Sequence, residues 1–452
     1  MSLYDLIIRN GTLVTPTSLR QADLAIADER IVALEPEIAG SSREEIDVRG
    51  LHVFPGVIDA HVHFNEPGRT DWEGFSTGSR ALAAGGTTAF FDMPLNAHPP
   101  TLDAESFRLK HEAALASSYV DFALWGGLVP ENLDRLEELA QCGVIGFKAF
   151  MSNSGIDDFS SVDDYTLYEG MRCIASFGGL VAVHAENDQI THALAKLALA
   201  QDKTGIRDYL RSRPVVAELE AIERAILFAQ ETGCSLHIVH VSTGRGVRLV
   251  AEAQARGVDV SCETCPHYLV LTEEDVEALG AVAKCAPPLR PKVEQNELWA
   301  HIFAGALPMV ASDHSPAPAS MKTSTNFFSV WGGISGCQSL LSLLLTEGYA
   351  QRDLTLPVIT SITAGYVARR FKLFPRKGVL AVGADADITL VDLQRSVRLD
   401  ASDLLYRHQH SPYIGRTMSA TILRTLVRGM TVYQDGSIIA KPAGHLLIPL
   451  SS

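Results

Sequence analysis

Short apolar runs that each stop on or beside a coordinating or charged side chain recur through the middle of this chain, and they constrain its fold more than any other feature. "TTAFFDMP", "VIGFKAF", "GLVAVHAEN", "LHIVHVS" and "LPMVASDHSP" are strand-length runs separated by longer stretches of helical character. In "VAELEAIERAILFAQETG" apolar residues recur at helical spacing, and Gly233 stands where a helix would stop. Strands alternating with helices imply parallel pairing, and a run of this length predicts a (β/α)8 barrel over residues 55–374. The span exceeds the roughly 250 residues usual for that architecture, so insertions are expected.

The two ends read differently. "LIIRNGTLV" sets Asn10-Gly11 between apolar runs, a strong hairpin signal, and "ADLAIADERIVALE" repeats the pattern around Asp28-Glu29. Near the other terminus, "GVLAVGADADITLVDL" and "ILRTLVRGMTVYQDG" alternate apolar and polar residues between glycine-rich turns. The chain is therefore expected to be α/β: a TIM-like barrel at 55–374 and a small composite β-sandwich domain built from 1–54 and 375–452.

Barrel sites are built at the carboxyl ends of the strands. The first strand ends in "DAHVHF", where His61 and His63 flank Val62; period two puts both imidazoles on one face. Later runs end at Lys148, His184, His240 and Asp313. A single histidine finishing a strand is more often a hydrogen-bonded structural residue than a ligand. A His-x-His pair suits zinc, because imidazole is its commonest nitrogen ligand. Lys148 in "GVIGFKAF" is either salt-bridged or a desolvated neutral amine available for chemistry. All six together point to a metal site.

Composition narrows the alternatives. A formal net charge of −15 argues against nucleic-acid binding, which needs clustered cations. No stretch approaches roughly 18 uninterrupted apolar residues, so no membrane span is expected. The N-terminus lacks the basic and apolar segments of a secretory signal. Seven scattered cysteines suit reduced thiols, so a cytoplasmic protein is expected.

Taken together, "HVHFNEPGRTDWEGF", "MPLNAHPPT", "GFKAF", "VHAEN", "HVS" and "SDHSP" resemble the amidohydrolase superfamily in its cyclic-amidohydrolase branch, over essentially the whole chain. That branch contains dihydroorotases, hydantoinases and allantoinases. The resemblance implies two divalent metal ions, zinc by expectation, and carbon dioxide carried as N6-carboxylysine at Lys148, bridging both. His61, His63 and Asp313 would hold the more buried ion, and His184 and His240 the other. Asp313 would also carry a proton from water to the departing nitrogen, and the product would be a hydrolysed ring amide.

Residues beside the ligands choose among rings. Dihydroorotases typically carry an arginine after the His-x-His pair to grip a carboxylate; here Asn65 stands there. Hydantoinases typically carry a tyrosine five residues beyond the lysine; here it is Asn153. "NEPGRTDWEGF" and "DMPLN" resemble the allantoinase form, so a small-molecule substrate, allantoin, is expected, with another five- or six-membered cyclic amide as the alternative. Substrate contacts are expected from Asn153, Ala286, Ser315, Gly332 and Gly333, chiefly through main chain. Relatives are commonly tetramers or dimers, which implies a homo-oligomer.

Other features receive structural readings. Cys262 and Cys265 lack a second pair at zinc-ribbon spacing. His237, three residues before His240, should face away from it. His314 would orient a ligand or substrate, Glu66 and Arg69 would brace their loop, and Trp72 and Glu73 would pack it.

Overall fold

The computed structural model describes residues 4–450; Met1–Leu3 and Ser451–Ser452, the outermost parts of the two end segments, lie outside it. Parallel strands at Val57–Val62, Thr87–Asp92, Asp121–Leu124 continuing into Gly126–Gly127, Phe147–Phe150, Leu180–His184, Ser235–Ile238 and Val260–Cys262 follow one another in spatial order. An eighth segment at 309–314 closes the ring, bridging Thr264 on one side through Val310 and Val62 on the other through His314. Helices return the chain between strands, as the alternation predicts.

Period-two alternation decides which side chains enter. In the fifth strand Val181 and Val183 pack outward among the helices, while Leu180 and Ala182 face the inner cluster, carrying His184 with them. In the fourth, Phe147 and Ala149 go outward and Phe150 inward, so Lys148 is inward too. The helix Val215–Thr232 seats on the barrel through Ala217, Ala221, Ala225 and Ala229, whose small side chains permit close approach, and it stops at Gly233 in the left-handed region.

Strands from both chain ends hydrogen-bond into one nine-stranded sheet. Tyr4–Val14 is its hinge: it pairs with Leu19–Ala27 along one edge and with Ser42–Asp47 and then His52–Pro55 along the other. His52–Pro55 pairs in turn with Ile388–Asp392, which joins the C-terminal strands. Leu6, Ile8, Leu24 and Ile26 from one arm share a cluster with Ile388, Leu390 and Leu426 from the other, so the continuous sheet encloses its own core. Thr389 and Thr425 hydroxyls donate to Gly86 and Ala83 carbonyls, both at 2.7 Å, fixing the sheet to the first barrel helix.

A buried ion cluster welds this seam. Lys377 Nζ lies 2.6 Å from Asp121, 2.6 Å from Asp387 and 3.0 Å from Asp385, and Arg428 also pairs with Asp121. The three carboxylates are close enough for a metal, but the chain's own ammonium already stands among them. Burial alone would lower Lys377; the carboxylates outweigh it and hold the amine above its ordinary range. Lys377→Met removes that cation and leaves buried anions uncompensated, so it should cost about 3–5 kcal/mol of stability. Urea unfolding monitored by circular dichroism checks this; a midpoint equal to wild type would contradict it.

Among the described residues no helix is long and apolar enough to cross a membrane.

Candidate metal centre

At the carboxyl end of the barrel, His61 Nε2 and His63 Nε2 lie 3.3 and 3.5 Å from one oxygen of Asp313. All three residues are buried, and their donor atoms fall within 4.8 Å of one another. Beside them His184 Nδ1 faces His240 Nε2 at 3.1 Å, and the His61 and His240 rings are 5.4 Å apart, so four imidazoles form one group. His240 and Asp313 both adopt positive φ, 40° and 45°, a region that non-glycine residues rarely occupy. For His240 this turn comes just past the end of Ser235–Ile238 and sends its ring toward the mouth.

Lys148 is fully buried, and its Nζ has no hydrogen-bond partner among the described residues. Burial pushes the amine down to about 7, against the pull of Asp313 and Glu263. No carboxylate stands within ion-pair or hydrogen-bond distance of Lys148 Nζ among the described residues, so the salt-bridged reading fails.

Two hydrogen-bond chains orient the imidazoles. His61 Nδ1 meets Glu263 at 2.6 Å, and the other Glu263 oxygen meets His237 Nε2 at 3.2 Å. With Nδ1–H donated to that carboxylate, His61 Nε2 keeps a bare lone pair facing Asp313. Burial pushes Glu263 up to about 8, with Lys148 pulling it down. On the other side His184 Nε2 meets Glu186 at 2.8 Å, leaving Nδ1 free toward His240. Burial would raise Glu186, but Arg213 and His184 outweigh it and hold the carboxyl well below its usual range.

The donor set fits divalent ions. Imidazole nitrogens converge on a carboxylate, and a buried amine without a hydrogen-bond partner stands on the strand that pairs with that of His184. Cations there would satisfy Asp313 and Glu263 together.

These residues floor a cavity of about 710 Å³. Asn153, Ala286, Ser315 and Gly332 line it; Gly333 does not. A Cβ at Gly333 would sit 2.3 Å from the Ser315 carbonyl oxygen, so glycine there permits two main-chain segments to touch. Asn153 is exposed at the rim, its side-chain oxygen accepting from Gly155 N at 2.7 Å. Asn65 is buried away from the cavity in a left-handed turn, with an amide that meets no partner among the described residues.

His314 also differs. Its ring accepts from Gly336 N at 3.1 Å and turns toward Glu73, while its carbonyl receives His63 N at 2.8 Å, so main chain and not imidazole supports the site. His237 sits beneath the mouth and touches the centre only through Glu263. Glu66 accepts from Phe75 N at 2.8 Å at the start of a helix, and Arg69 reaches Asp158 at 2.9 Å. Trp72 lines the cavity, its ring 4.8 Å from that of Trp331. Cys262 and Cys265 are buried free thiols whose ionisation burial opposes.

Sequence reasoning missed Glu186, Arg213, Glu263 and Lys284. Glu186 stands in "VHAEN", two residues beyond His184, and Glu263 in "SCETCPHY"; Arg213 and Lys284 carry no comparable local mark.

Comparison with known proteins agrees with this geometry. A model described as "Amidohydrolase family" matches residues 52–432. The chain is 58% identical over 449 residues to an allantoinase of Rubrobacter xylanophilus, covering 99% of this chain and 98% of that one. It is 55% identical to an allantoinase of Deinococcus radiodurans, covering 100% of each chain. Among solved structures, the L-hydantoinase (dihydropyrimidinase) of Arthrobacter aurescens superposes with a TM-score of 0.96 at 34% identity, covering 98% of this chain and 100% of that one.

Proposed function

The chain belongs to the amidohydrolase family, and from that premise we propose that it hydrolyses the ring amide of allantoin to give allantoate, a step of purine breakdown. The observation that carries the chemistry is a buried lysine amine without a partner, set among four imidazoles and Asp313. The full-length relatives supply the substrate.

In this reading His61, His63 and Asp313 hold one divalent ion and His184 and His240 a second, with zinc as the expected metal. Once bound, the ions make a water nucleophilic near neutral pH and polarise the ring carbonyl. Lys148 contributes through its neutral amine: the Nζ lone pair forms a bond to the carbon of carbon dioxide, one proton leaves, and a carboxylate on a long stem remains. That anion reaches between the two pairs of histidines and offsets the repulsion of two dications.

Asp313 moves the proton. Its carboxylate takes a proton from the attacking water as the new C–O bond forms at the ring carbonyl carbon. It then delivers that proton to the ring nitrogen as the C–N bond breaks, and the new carboxylic acid ionises. Glu263 and Glu186 keep His61 and His184 in the tautomers the centre needs. The rim around Asn153, Ala286, Ser315 and Gly332 binds the rest of the ring system, with Gly333 acting through its packing on Ser315.

We further propose the domain limits 1–54, 55–374 and 375–452, a cytoplasmic location and a homo-oligomeric state, dimer or tetramer. The activity is tested by incubating purified protein with allantoin, unsubstituted hydantoin, dihydrouracil and dihydroorotate while following ring opening. The expected order places allantoin first. Faster opening of unsubstituted hydantoin would replace the substrate and leave the chemistry in place, the outcome that the hydantoinase-like structure makes the specific alternative.

A further inference from the structure

One wall of the cavity is held by lysines that face no carboxylate. Phe328, Ser329, Val330, Trp331 and Gly332 line the cavity as a continuous stretch that leaves the short 3-10 turn Phe327–Ser329. Lys284, which itself lines the cavity, donates through Nζ to the carbonyls of Phe327, Phe328 and Val330, at 2.6, 3.2 and 2.5 Å. Lys322 Nζ donates to Ala281, Trp331 and Gly333 carbonyls, at 3.1, 2.9 and 2.7 Å. Neither amine has an acidic partner within ion-pair distance among the described residues; what they meet is six carbonyl oxygens, with the Tyr209 and Phe327 rings 4.5 and 5.4 Å from Lys284 Nζ. Such a commitment of charge to main chain serves to fix the path of that main chain.

The consequence reaches the cavity through peptide geometry. In a planar trans peptide the carbonyl of one residue and the N–H of the next point in opposite directions. Tying the Trp331 carbonyl to Lys322 therefore turns the Gly332 N–H the other way, and that N–H has no acceptor among the described residues. Trp331 N donates to Met321 O at 3.0 Å, and the Trp331 ring packs edge-on against Trp72, so the neighbouring groups are committed. The reacting amide must lie on the floor beside Asp313 and the histidines. The Gly332 N–H on this wall is left available to a polar group that the ring carries besides that amide.

We propose that Lys284 and Lys322 are positioning residues that hold Phe327–Gly333 as a preformed main-chain wall, and that this wall reads the polar arm of the substrate and not its reacting amide. The proposal rests on the reading of allantoin as substrate, since allantoin differs from unsubstituted hydantoin by a ureido arm.

Steady-state kinetics of Lys284→Met and Lys322→Met on allantoin and unsubstituted hydantoin test it, with metal content and the near-ultraviolet circular dichroism of the Trp72–Trp331 pair measured alongside. The ratio of kcat/KM for allantoin over hydantoin should fall about 10-fold or more, chiefly through KM, as expected for loss of hydrogen bonding to one polar arm. Bound metal should stay at the wild-type level while the tryptophan signal weakens. Should Lys284→Met not fold, Lys322→Met and Lys322→Gln, on a half-buried side chain of the loop itself, carry the test. A ratio within about twofold of wild type, or an equal loss on both substrates, overturns the proposal while leaving allantoin as substrate. Wild-type protein that opens neither compound overturns the substrate reading and this proposal with it.

Discussion

Lys148→Ala is expected to fold, to lose bound divalent metal and to open the ring amide at least about 1,000-fold more slowly than wild type. In the proposed reading this amine supplies the anion between the two histidine pairs, and alanine removes both the stem and the nitrogen. Stability should move the other way. In metal-free protein Lys148 is a buried amine that meets no hydrogen-bond partner, so deleting it relieves a desolvation cost, and the melting temperature of the metal-free variant should hold or rise against metal-free wild type. The same element in Lys377 is ringed by three carboxylates, and its loss should destabilise the protein. Two buried lysines thus have opposite expected signatures: one costs activity without stability, the other stability through a broken ion cluster. Metal analysis and thermal melts of both variants check the pair. Lys148→Ala retaining full metal and turnover within tenfold of wild type would remove the bridging role. Partial rescue of metal binding by a small added carboxylate would support it, because the vacated space is the size of the missing side chain.

Asp313→Asn should reduce kcat by about 10²–10⁴-fold, the range set by removing a positioned proton carrier. Asparagine keeps the shape and one oxygen toward the histidines, so some metal should remain. What it cannot do is take a proton from water and return it to nitrogen. The diagnostic is therefore the leaving group: a ring whose departing nitrogen is less basic needs less help and should be slowed less by the substitution. Equal slowing of both rings would assign Asp313 to metal holding alone. Rates measured at matched metal occupancy separate the two effects.

The parts of this architecture that were legible from sequence are those written locally. A strand declares its inward face by alternation and its end by the residues that follow, so the six residues could be placed before any contact was known. The left-handed turns at His240 and Asp313 were not legible, since neither position carries a glycine to announce them. Nor was the Glu263 link to His61, which joins residues 202 apart in sequence across the ring of strands. Glu263 stands in "SCETCPHY" between the two cysteines that drew attention, and a glutamate in a buried strand was the stronger signal. Nor does a place beside His63 say which side of the turn Asn65 takes; its φ is near 64° and its side chain is buried away from the cavity.

The nine-stranded sheet has a consequence for how the protein is made. Tyr4–Val14 and its neighbours emerge first from the ribosome, but the edge of His52–Pro55 has no mate until Ile388–Asp392 has been synthesised. For most of translation that edge is an unsealed template of the kind that recruits chaperones or a second nascent chain. Delayed closure would make yield on overexpression sensitive to translation speed and to any premature stop before the last strands, even where every catalytic residue has already been made.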